Sequence, residues 1–77
     1  MLRNNFVNPT TTNENSLSTR EIECLFWLSQ GKSVEETAML LSISKKTART
    51  YLDRVKLKLN ATRTTQAVYY ATKKGLI

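Results

Sequence analysis

Residues 33–59, SVEETAMLLSISKKTARTYLDRVKLKL, decide how the chain folds. Ser33 followed by Glu36 has the form of a capping box: the hydroxyl accepts from a free first-turn amide, and the carboxylate returns to the cap amide. A short helix is expected from about Val34 to Leu41, with Ala38 and Leu41 turned inward. Ser42-Ile43-Ser44 reads as a tight connector, and Ser44 can cap a longer helix over about Lys45 to Leu59. In that helix Ala48, Leu52, Val55 and Leu59 recur at spacings of four, three and four, which is one apolar stripe. Two helices joined by a short turn, the second long and basic, form the pattern of a helix-turn-helix. The small Ala38 lets the two approach closely, and Ile43 is placed to plug the turn into the core.

The flanks continue the same grammar. Ser18 and Glu21 form another capping box, opening a helix from about Thr19 to Gln30, and Gly31 stands where a left-handed residue ends it. Cys24, Leu25 and Leu28 point inward with Trp27 alongside, while Ile22 and Phe26 pair on a neighbouring face. Asn60 can take the left-handed position after the long helix. A fourth helix is expected from about Thr64 to Lys74, stopped by Gly75, with Leu76 and Ile77 folding back on the core. Residues 1–16, MLRNNFVNPTTTNENS, lack apolar periodicity and read as a disordered tail or linker. The expected fold is all-α, a four-helix helix-turn-helix domain over residues 17–77.

Composition narrows the function. A chain of 77 residues holds one domain at most. Its single cysteine, Cys24, cannot form an internal disulfide and reads as a small core residue. With one cysteine and no histidine, the usual zinc ligand sets are missing, so no metal is expected. Catalysis and cofactor binding are not expected either. There is no histidine to serve as base, Gly31 and Gly75 form no glycine-rich loop, and the carboxylates cluster where helix first turns favour them. No apolar run is long enough for a bilayer, so a soluble cytoplasmic location is expected.

The net charge of +6 is unevenly spread. Residues 17–41 carry Arg20 and Lys32 against Glu21, Glu23, Glu35 and Glu36, whereas residues 42–77 carry Lys45, Lys46, Arg49, Arg54, Lys56, Lys58, Arg63, Lys73 and Lys74 against Asp53 alone. A solvated surface intersperses both signs; a polarised one suits a polyanion. With Leu52 inward, Lys46, Thr50 and Asp53 project away from it and Arg49 flanks them, the four within about one quadrant, at 3.6 residues per turn. That row is the natural base-reading edge in a major groove. Arg49 can pair with guanine, Thr50 can touch a thymine methyl or a phosphate, and Asp53 can accept from cytosine or steer Arg49. Lys45, Lys46, Thr47, Arg54 and Lys56 suit phosphates, as does the amino end of the helix itself. On the fourth helix Ala67, Val68 and Ala71 should face the core, leaving Tyr69, Tyr70 and Lys73 outward as contact residues for a second copy. For Tyr70 the other reading is that it caps the core.

Three stretches carry a family resemblance: LSTREIECLFWLSQGKS (17–33), ISKKTARTYLDRVKLKLN (43–60) and RTTQAVYYATKKGLI (63–77). Together they resemble the LuxR-type (GerE-like) DNA-binding domains of bacterial transcription regulators, and the pattern around Cys24 and Trp27 looks most like the branch responsive to acyl-homoserine lactones. The resemblance implies a third helix in the major groove and a fourth helix that supplies a dimer contact. Carried across, Arg49, Thr50 and Asp53 match base-facing positions, and Lys45, Lys46, Thr47 and Lys58 match positions near phosphates. Tyr69, Tyr70 and Lys73 match the dimer surface. The implied partners are double-stranded promoter DNA at the nucleoid, a second copy held weakly, and RNA polymerase. The sequence departs from the family pattern at Val34, Thr37, Ala48, Tyr51 and Asn60. Thr37 and Ala48 thin the core, and the acidic Asp53 is unusual in a DNA-facing row.

Two other readings fit an all-helical basic domain. One is a protein-interaction module of the same fold that has lost DNA binding, anchored by Ile22, Phe26, Tyr69 and Tyr70. The other is RNA binding, which the lack of grouped aromatic platforms on the basic face disfavours. The positive second half favours DNA.

Overall fold

The computed structural model describes residues 16–77. Four helices follow one another: α1 (Thr19–Ser29), α2 (Val34–Leu40), α3 (Lys45–Lys58) and α4 (Thr64–Lys73), with no strand among the described residues. The tail expected over residues 1–16 lies, except for Ser16, outside the described residues.

Serines open the first three helices. Ser18 Oγ accepts from the Glu21 N–H at 3.1 Å while Glu21 Oε1 accepts from the Ser18 N–H at 2.8 Å. Ser33 and Glu36 repeat the exchange at 3.0 and 2.9 Å. Ser44 accepts from the Thr47 N–H at 3.0 Å, but threonine replaces the returning carboxylate. The fourth helix has no side-chain cap on Arg63; one residue earlier, Gln66 Oε1 accepts from the Thr62 N–H at 2.8 Å.

All four helices also end alike. Gly31, Ser42, Asn60 and Gly75 have φ of +89°, +58°, +55° and +75°, and the next residue's N–H reaches back to close the last turn. Those bonds run from Lys32 to the Trp27 carbonyl, Ile43 to Ala38, Ala61 to Lys56 and Leu76 to Ala71. This is the Schellman closure, which satisfies otherwise orphaned carbonyls; after the last three helices it also turns the following residue, Ile43, Ala61 or Leu76, partly inward. Each helix therefore stops one residue before its expected end, because Gln30, Leu41, Leu59 and Lys74 serve as C-caps.

The core divides about α3. Its first half packs Ala48 and Leu52 with Cys24, Ala38 and Leu41, joined at the edge by Trp27, Leu28, Val34, Ile43 and Tyr51. Its second half packs Val55 and Leu59 with Leu25, Ala67 and Ala71, joined by Leu17, Val68, Tyr70, Leu76 and Ile77. One stripe of one helix thus serves both halves, and α1 supplies adjacent residues, Cys24 and Leu25, to each. With that stripe fixed on two sides, the rotation of α3 about its own axis is set. The opposite face is held out to solvent.

Candidate nucleic-acid interface

The outward face of α3 carries the residues the sequence singles out. Lys45, Lys46, Arg49, Thr50, Asp53 and Arg54 are exposed, and Thr47 and Lys56 are half-buried. Arg49, Asp53 and Lys56 line a shallow polar depression with Val34, Leu52 and Thr64, so Arg49 leans toward the openings of α2 and α4. Thr50 Oγ1 donates to the Lys46 carbonyl at 3.1 Å, which fixes its rotamer and turns its methyl group free. Asp53, exposed, lies 3.9 Å from the half-buried Lys56, a loose pair.

The first turn of α3 differs electrically from those of α1 and α2. Glu21 sits in the first turn of α1, and Glu35 and Glu36 in that of α2, whereas α3 begins Lys45-Lys46-Thr47 with no acidic residue. The positive end of that helix dipole is uncompensated from within its own turn and adds to the lysines. Glu35 reaches across from α2 to hold Lys45 Nζ at 2.8 Å. The hydrogen bond from Lys45, then its own backbone amide, holds the Glu35 carboxyl below its ordinary range, with Arg49 adding to the effect. Glu36 is lowered chiefly by the Ser33 amide. Both acids are therefore ionised at neutral pH on the edge of the basic face.

Lys58 stands apart from the other cations. Its ammonium donates to Glu21 Oε1 at 2.9 Å and to the Ser16 carbonyl at 3.1 Å, on the α1 side of α3. Glu21 is buried, at 2% exposure. Burial opposes its ionisation, but the Lys58 ammonium and the Ser18 amide outweigh that and lower its pKa. No local pattern in the sequence joins this pair, whose members are 37 residues apart. Its only signal is that Glu21 already serves as a capping carboxylate and so points back toward the helix start.

On α4, Tyr69 is 58% exposed and Lys73 Nζ lies 5.8 Å from its ring centroid, within cation–π range. Tyr70 is half-buried against the second core cluster, and its hydroxyl accepts from Gln66 Nε2 at 3.0 Å. Its ring thus caps the core, and Tyr69 and Lys73 form the outward pair. Ile22 and Phe26 line a separate groove with Trp27, Leu41, Leu76 and Ile77.

Residues 15–71 match the bacterial regulatory proteins of the luxR family, the GerE type. The chain belongs to the luxR family. Relatives of this luxR-family domain include the quorum sensing-dependent transcriptional regulator VjbR of Brucella ovis, 44% identical over 61 residues, and the regulatory protein SdiA of Escherichia coli, 42% identical over 66. These matches cover 79% and 86% of this chain but 24% and 28% of the relatives, so the chain spans about a quarter of their length. Among solved structures, the response regulator ChrA of a heme-sensing two-component system superposes with a TM-score of 0.77 at 40% identity, covering 80% of this chain and 31% of that one. The transcription factor GerE superposes at 0.75 and 28% identity, covering 78% and 90%. The all-α helix-turn-helix expected from sequence is the fold of the luxR family, and that family consists of regulatory proteins rather than enzymes. No helix among the described residues is long and apolar enough to cross a membrane.

Proposed function

We propose that this luxR-family domain binds promoter DNA in the bacterial cytoplasm, at the nucleoid, and places a transcription regulator there, with α3 in the major groove. The observation that carries the reading is the outward face of α3. Its buried stripe is fixed on two sides, its first turn is basic without an acid of its own, and Arg49, Thr50 and Asp53 stand together on its exposed side. Arg49 is the guanine reader, and Thr50 and Asp53 meet pyrimidine edges. Lys46, Thr47, Arg54 and Lys56 grip phosphates. Lys45 exchanges Glu35 for a phosphate when DNA arrives, whereas Lys58 serves the fold through Glu21. The functional domain is residues 17–77, with residues 1–16 as its tail or linker. Tyr69 and Lys73 are the surface for weak pairing with a second copy, and RNA polymerase is the further partner of the assembled regulator.

The test is equilibrium binding to duplex DNA as salt is raised. Each phosphate neutralised adds about −0.9 to the slope of log K against log salt. Four to six contacts predict a slope of about −3.6 to −5.4, on the order of a hundredfold loss or more between low and physiological salt. A response that is flat with salt contradicts the reading.

A further inference from the structure

Leu57 is 82% exposed, beyond every other large apolar side chain among the described residues that is exposed. A lone exposed leucine needs no explanation in itself; the position of this one does. It is two residues from both Val55 and Leu59, hence about half a turn off the buried stripe of α3. It is seven residues from Thr50 and four from Asp53, so it lies in register with both on the outward row. Arg54, three residues back, stays exposed beside it, but the two cations adjacent in sequence turn aside. Lys58 is drawn to Glu21, and Lys56 lies in the depression beside Arg49. The far end of the row is thus apolar where the rest is polar.

Leucine offers no hydrogen bond, and the apolar group that a base edge presents in the major groove is the thymine 5-methyl. We infer that Leu57 is a specificity-determining residue that packs on a thymine methyl at the far end of the bound site. The inference rests on the DNA-binding reading given above. At about 1.5 Å per residue Leu57 lies roughly 10 Å beyond Thr50, or about three base-pair steps along a groove that α3 follows. Thr50 and Leu57 then mark the two ends of one pyrimidine-reading row, with Asp53 between them.

The experiment replaces thymine by deoxyuridine, which removes that methyl and nothing else. The preferred duplex is first selected from a random library with the wild-type chain. Each thymine in it is then replaced singly, and binding of the wild type and of Leu57→Ala is measured. At one thymine the wild type is expected to lose about fourfold, the worth of one buried methyl. Leu57→Ala is expected to have lost at least that much on the unmodified duplex and to be indifferent to the replacement there. Because Leu57 is 82% exposed and outside both core clusters, the variant is expected to keep its helical content by circular dichroism. Equal sensitivity of both proteins at every thymine overturns the role of Leu57 and leaves DNA binding standing. Failure of the wild type to select any sequence overturns the DNA-binding reading, and the role of Leu57 with it.

Discussion

Thr37 shows what a single residue can conceal. It is fully buried beside the first half of the core, and its Oγ1 has no hydrogen-bond partner. The family resemblance marks position 37 as usually aliphatic, so the departure is legible in the sequence. The unsatisfied hydroxyl is not, because a helical threonine can often return its hydroxyl to a carbonyl one turn back. Leaving a buried hydroxyl unpaired costs about 1–3 kcal/mol. Thr37→Val keeps the branched shape and removes the polar atom, and it is predicted to stabilise the domain by about 1 kcal/mol. For a domain of this size that is a rise in Tm of roughly 4–8 °C in a calorimetric scan; an unchanged or lower Tm would sink the prediction. Ser42 was hidden in the same way. Glycine and asparagine announce left-handed positions at 31, 60 and 75, but a serine at φ +58° carries no such signal, since its conformation is imposed by the turn rather than by its side chain.

Among the elements, the pair between Glu21 and Lys58 ties the start of α1 to the end of α3. Local signals made the helices themselves readable: serine caps, returning glutamates and an apolar period all act within a few residues. The pairing of one helix with another does not, which is why Lys58 reads from sequence as one more cation near phosphates. The Glu21 pKa in the folded chain lies below its ordinary value of 4.5. Folding therefore favours the ionised form; this contribution is present above about pH 4.5 and is lost as pH falls through the folded value. Lys58→Met strands a buried carboxylate and is predicted to cost about 1.5–3 kcal/mol at pH 7. Without its cation Glu21 takes up a proton more readily, so the difference from wild type should shrink as pH falls toward 3. Urea unfolding at both pH values checks this, and a difference that is the same at the two would rule out Glu21 as the group at stake.

The whole molecule sorts its charge. The acids lie mainly on α1 and α2, the cations mainly on α3 and beyond, and the core that divides about α3 holds the basic row outward. Fold and charge polarity were legible because periodicity and composition carry both. The division of labour among the cations was not, since Lys45 and Lys58 have partners far away in sequence. Pairing of two domains is a property of this scale. Tyr69 and Lys73 present an exposed amphipathic pair, and the like charges of Lys73 and Lys74 on two copies are expected to keep pairing weak in solution. On two half-sites about one helical turn apart, cooperative binding is predicted, and Tyr69→Ala should remove it. Equal cooperativity in the variant would place the contact elsewhere. The central claim, that the outward face of α3 reads DNA, is tested most directly by binding of wild type, Arg49→Ala and Lys46→Ala to the preferred duplex and to a scrambled one at fixed salt. Arg49→Ala is predicted to lose about 1–3 kcal/mol on the preferred duplex and much less on the scrambled one, and Lys46→Ala to weaken both alike. Equal losses on the two duplexes for Arg49→Ala would contradict the account.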